Sequence, residues 1–129
     1  MKRIVWLLLA TACGGPWDEV SFVDEGQLCF STQSDGIAVE VQAPDCLSSS
    51  CSRDPHGTCE ATIDGERITI TSEFHWEERN GGIKGCTLDC GRVVADCTLA
   101  GLAPGTYTVV HGEEEVELVV PLAQEGCPL

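Results

Sequence analysis

The chain has 129 residues, with 21 acidic side chains against seven basic ones, nine cysteines and a formal charge of −14. That length holds one small domain, and so negative a surface argues against nucleic acid and anionic lipid headgroups as partners. Cysteine at this density fits small exported domains whose limited cores are stapled by disulfides.

In chain order, Lys2 and Arg3 give a basic start, Ile4 to Ala10 an apolar run, and Ala10-Thr11-Ala12 a small-residue cleavage site ahead of Cys13. This is the layout of an export signal. The run is too short to cross a bilayer, which takes about 20 apolar residues. Ala10-Thr11-Ala12 also satisfies the rule for ordinary secretion, with cleavage at the same bond. Ending on Cys13, the segment resembles the signal peptide of a bacterial lipoprotein, with Ala10 where that family usually has Leu. The shortness of the segment and the parity of the cysteines favour this resemblance, since Cys13 spent on a thioether leaves eight for pairing. The resemblance implies a diacylglyceryl group and an acyl chain on Cys13, more than the single chain that gives only marginal anchoring. Gly14, where an Asp would signal inner-membrane retention, implies the outer membrane, periplasmic or surface-facing. Residues 1–12 are then the signal peptide, 13–26 the lipidated cysteine with an acidic tether, and 27–129 a disulfide-rich domain. Without Lys2 and Arg3, five basic residues face 21 acidic ones, a mature charge of −16.

The tether, GGPWDEVSFVDEG from Gly14 to Gly26, offers Trp17 and Phe22 as docking points. Beyond it the pattern alternates with period two, the mark of half-buried strands. Strands are expected over 28–31 and 37–42, the latter with Ile37, Val39 and Val41 on one face. Residues 43–56, dense in Pro, Asp and Ser, read as a loop. Thr58 to Ile63 and Glu66 to Trp76 flank Asp64-Gly65, a strong hairpin signal. Cys86 to Cys90 is a cysteine-bracketed loop, and a strand follows over 93–99. A last hairpin joins Thr106–Val110 to Glu115–Val120 around His111-Gly112-Glu113-Glu114.

Seven strands with frequent turns predict an all-β fold, a small antiparallel β-sandwich. The stretch Leu99-Ala100-Gly101-Leu102-Ala103-Pro104-Gly105-Thr106-Tyr107-Thr108-Val109 resembles the lead-in to a late strand of immunoglobulin-like, fibronectin-III-like and transthyretin-like sandwiches. In such a corner Leu102 plugs the core and the Tyr107 hydroxyl returns to the corner backbone. The resemblance bears on architecture and not on activity.

Eight cysteines allow 105 connectivities. Cys59 shares a face with Ala61 and Ile63, and Cys97 with Val93 and Leu99, so an inter-sheet Cys59–Cys97 bridge is reasonable. Local bridges Cys46–Cys51 and Cys86–Cys90 would then leave Cys29–Cys127 to tie the chain ends. Zinc is disfavoured because no CxxC knuckle and no histidine at finger spacing occurs.

Chemistry is sparse. None of the serines sits in a nucleophile elbow, no phosphate loop is present, and 21 acids offer too many carboxylates to single out a glycosidase pair. The chain therefore reads as a non-enzymatic, membrane-anchored lipoprotein of the bacterial envelope with a structural or protein-binding role and no cofactor. One alternative is an envelope module binding a divalent cation, Ca²⁺ or Zn²⁺, through His111, Glu113 and Glu115 on a hairpin tip or His75 and Glu77 near a strand end. Another is a small disulfide-rich inhibitor of exported hydrolases, with the Cys46–Cys59 loop as its reactive segment. Trp76 is expected in the core or its rim rather than as a stacking surface.

Overall fold

The computed structural model describes residues 16–128. The expected signal peptide, Cys13 and the start of the expected tether lie outside the described residues.

The fold is an all-β sandwich stapled by four disulfides, with eight strands: β1 (Asp18–Val23), β2 (Gln27–Gln33), β3 (Gly36–Leu47), β4 (Ser52–Asp64), β5 (Arg67–Glu78), β6 (Gly91–Leu99), β7 (Gly105–His111) and β8 (Glu114–Val120). One sheet is β2-β3-β6, all antiparallel. The other is organised around β5. One edge of β5 pairs with β4 over most of its length, and the other is shared by β1, antiparallel along residues 73–78, and β7, parallel along 67–70. Strand β8 completes this sheet as the hairpin partner of β7.

Period-two alternation supplies the core between the sheets. Leu28, Phe30, Ile37, Val39, Val41, Val93, Ala95 and Leu99 face inward from one sheet, and Ile68, Ile70, Phe74, Trp76, Val109 and Leu118 from the other. Ile63 shares the inward face of β4 but lies at the end of an edge strand, 43% exposed. The β4–β5 hairpin closes on Asp64↔Arg67, so its two central residues are Gly65 and Glu66, one place later than the Asp64-Gly65 reading. Gly65 takes the positive φ of 59° that the first central position of a II′ turn requires.

Three stretches are more ordered than their composition suggests. Strand β1 lies within the segment expected to be a tether. Its Val20 and Phe22 are packed against the core, and Phe22 stacks 5.4 Å from Trp76. Two inward apolar residues suffice because β5 offers a ready hydrogen-bonding edge. The segment expected to be a loop, 43–56, is mostly strand, with only 48–51 left as connection. Its prolines misled the pattern, since Pro is tolerated in sheets at bulges. Pro44 lies where the β3–β6 register shifts between Gln42 and Cys46, and Pro55 where the β4–β5 register shifts between Arg53 and His56. The C-terminal tail, finally, covers the free edge of β2, with Phe30 and Gly126 exchanging backbone hydrogen bonds of 2.8 and 3.0 Å. Edge strands left open invite pairing with other chains.

Cys59–Cys97 joins β4 to β6 across the sheets, and Cys29–Cys127 ties β2 to the tail. The other two bridges differ from the expected local pairs: Cys46 joins Cys90, and Cys51 joins Cys86. The reason is positional. The end of β3 with the turn after it and the 86–90 segment lie side by side, so cysteines pair between the two segments rather than within each.

Candidate functional site

The candidate metal ligands do not assemble. Tyr107, Val109 and His111 alternate onto one face of β7, which carries His111 into the core at 2% exposure, while Glu113 and Glu115 stay on the exposed turn and edge. His75 faces outward from β5, opposite the inward Ser72 and Phe74. It stacks on the cross-strand His56 with ring centroids 4.2 Å apart, and Glu77 is held by Arg53 at 2.8 and 3.3 Å. The bulge at Asp54-Pro55 places both Arg53 and His56 on this outer face, since the extra residue resets the alternation. Arg53 also lies 4.0 Å over the Trp17 ring, with Arg79 at 4.8 Å. Among the described residues, no three His, Cys, Asp or Glu side chains gather as a group able to hold a metal ion.

Ser72, His111 and Asp24 do meet, in a way that sequence reasoning missed. Ser72 Oγ lies 2.8 Å from His111 Nε2. Asp24, at φ 53°, accepts the Ser72 N–H through Oδ1 at 2.9 Å and returns its own N–H to the Ser72 carbonyl at 2.8 Å. A nucleophilic trio needs a serine that substrate can reach and a carboxylate that orients the histidine. Here the serine and histidine are buried and the carboxylate grips backbone, so the cluster holds the end of β1 at the point where β1 gives way to β7 along β5.

Burial pushes the His111 imidazole below the ordinary value of 6.5, with the Asp24 and Glu114 carboxylates pulling the other way. A histidine depressed in the fold binds its proton more readily when unfolded, so its contribution to stability is complete above about pH 6.5 and is lost as pH falls below that value towards the folded pKa. The melting temperature of the wild type should therefore drop more steeply between pH 7 and pH 5 than that of His111→Gln, measured by calorimetry. Parallel curves would mean that His111 gains its proton without disturbing the core.

The most elaborately braced surface is the end of the sandwich where the two crossed bridges lie. Ser48, Ser49 and Ser50 form a turn whose hydroxyls surround Thr87: Ser48 Oγ and Ser49 Oγ lie 2.8 and 3.1 Å from Thr87 Oγ1, and the Thr87 N–H donates to Ser50 Oγ at 2.9 Å. The Ser49 N–H reaches both Asp89 carboxylate oxygens, at 3.2 and 3.3 Å. Hydrogen bonds from Thr87 and Ser49 hold the Asp89 carboxyl below the ordinary carboxylate value. On the other side, Arg79 donates from its backbone to the Cys51 carbonyl at 2.9 Å and from its guanidinium to the Ser50 carbonyl at 3.3 Å. Gly81 permits the sharp return that follows, because a side chain there would collide with the backbone of Gly85. Between the two pinned residues, Leu88 stands fully exposed at 102%, and Ile83 in the short 3₁₀ turn (Gly82–Lys84) is equally bare.

Comparison with known protein families, curated proteins and solved structures finds no match. The site must be read from its own geometry.

Sequence reasoning placed the reactive segment of an inhibitor in the Cys46–Cys59 loop. That segment comprises the end of β3, the 48–51 turn and the start of β4, and its turn supports the exposed 86–90 segment beside it. The sequence shows only that Leu88 is centred between Cys86 and Cys90, with three residues between the two cysteines; where those cysteines are tied is set by the assembled sheets.

Proposed function

We propose that the protein is a lipid-anchored, non-catalytic module of the bacterial cell envelope that offers its disulfide-braced end to a protein partner. The observation that carries this reading is the cysteine arithmetic. Four bridges account for all eight cysteines between 29 and 127, and the ninth of the chain is Cys13, directly behind the small-residue site of the export signal. Disulfides at this density belong to an oxidising compartment. A non-catalytic role is supported by the burial of Ser72 and His111. The immunoglobulin-like or transthyretin-like kinship is supported by the corner itself, where the Tyr107 hydroxyl donates to the Ala103 carbonyl at 2.7 Å.

Growth with labelled palmitate tests the anchor. The wild-type protein should carry label and fractionate with outer membrane, and Cys13→Ser should lose both while its four bridges still form. Label retained in Cys13→Ser, or absent from the wild type, overturns the anchor.

A further inference from the structure

We propose that residues 86–90 are a substrate-like loop, with Leu88 as its specificity residue, that occupies the cleft of a serine endopeptidase whose primary pocket is apolar. The proposal rests on the exported, disulfide-bonded reading above and names the partner of the braced end.

Serine endopeptidases take their substrates as extended chain and select them by the one side chain that enters the primary pocket. A loop suited to that cleft must therefore present an apolar side chain with nothing of its own fold against it. Leu88 meets this requirement at 102% exposure. Its neighbours meet the complementary one: Thr87 and Asp89, themselves exposed, both hydrogen-bond back onto the Ser48–Ser50 turn, so the residues on either side of Leu88 are tied to the body while its own side chain is not. Among the described residues no hydrogen bond is made to the Leu88 backbone, which leaves its N–H and carbonyl for the enzyme. Exposing a leucine costs solubility, and two bridges with a serine network are a large investment for a surface turn without a partner. Rigid loops of this kind bind tightly because ordering costs little on association, and protease–inhibitor pairs are among the complexes whose partners move least.

The same bracing explains why such a loop would resist turnover. The enzyme's serine Oγ adds to the Leu88 carbonyl carbon, and its proton passes through the enzyme's histidine to the Asp89 nitrogen. The Leu88–Asp89 C–N bond then breaks to give a Leu88 ester and an Asp89 amine. In an ordinary substrate that amine departs. Here the acyl side remains joined to the body through Cys86–Cys51 and the amine side through Cys90–Cys46, while Ser49 holds the Asp89 carboxylate. The amine stays beside the ester, attacks it, returns the proton to the serine and remakes the peptide bond.

The test uses the mature, oxidised protein in detergent against chymotrypsin and subtilisin, with trypsin as the enzyme of opposite preference. The wild type should inhibit at least one of the first two, with the Leu88–Asp89 bond surviving prolonged incubation. Leu88→Asp should weaken inhibition by at least about 30-fold, the loss of a central interface anchor. Leu88→Lys should move inhibition towards trypsin, whose pocket holds an aspartate, and Ile83→Asp should change nothing. Thr87→Ala with Asp89→Ala should be cleaved at 88–89 faster than the wild type. Leu88 packs against nothing, so its variants should keep the wild-type melting temperature. No inhibition by the wild type, rapid cleavage without inhibition, or a Leu88→Asp variant as potent as its parent each overturns the proposal. Palmitate labelling is read on the same wild-type preparation, so a failed loop and a failed anchor are told apart.

Discussion

Replacing Cys29 and Cys127 together by Ala will lower stability by about 4–5 kcal/mol, the largest effect of any single bridge. The two residues are 98 apart, against 35 to 44 for the other three pairs. In the chain-entropy account the gain rises with the logarithm of loop length, giving about 4.7 kcal/mol for the long loop and about 4 for each shorter one. The ranking by length is therefore shallow, and what sets Cys29–Cys127 apart is the structure it holds. The bridge presses the tail onto the free edge of β2, where Phe30 pairs with Gly126 and the Thr32 N–H donates to Glu125 at 2.9 Å. Without it those bonds must retain the tail unaided, and hydrogen exchange at the Phe30 and Gly126 amides should accelerate along with the drop in the urea midpoint. Since small domains have only about 5–15 kcal/mol in all, this loss removes roughly a third or more of the total stability. A loss below about 2 kcal/mol would mean that the unfolded chain already keeps its ends together.

The strands that alternate cleanly were legible in the sequence: β2, the first half of β3, the second half of β4, β5, β6 and the β7–β8 hairpin. The same parity placed Cys59 and Cys97 inward, and the structure joins them. What escaped is instructive because each miss has a physical cause. Strand β1 was hidden by Asp18 and Glu19 at its start, although Val20 and Phe22 already alternate. The ends of β3 and β4 were hidden by Pro44 and Pro55, which sit at bulges rather than in loops. His111 was assigned to a turn because its neighbours are Gly and Glu, yet its position two beyond Val109 puts it in the core. The crossed bridges could not be read at all, because which loops lie side by side at the end of a sandwich is a property of the assembled sheets. The exposed Leu88 shares that limit: its sequence shows an apolar residue between two cysteines, and only the packing shows that no core is in reach.

Trp76→Ala should cost about 3–5 kcal/mol, as truncation of a large buried aromatic does. The residue is 1% exposed, it stacks on Phe22 of β1, and its indole N–H donates to Glu78 at 2.7 Å. The cavity would open beneath β1, which packs only Val20 and Phe22 against the core. The loss should therefore be uneven: amides of β1 should exchange faster first, before those of β4 on the other edge of β5. Trp76→Phe keeps most of the packing but removes the indole donor, so it should fall between the two in the urea midpoint. The outcome also separates two roles for this residue. A tryptophan serving as an exposed stacking surface would lose a ligand on truncation and leave the melting temperature unchanged. A steep fall in melting temperature, with inhibition by the Leu88 loop intact in whatever fraction remains folded, places Trp76 in the core and assigns recognition to the opposite kind of residue, one that the fold leaves bare.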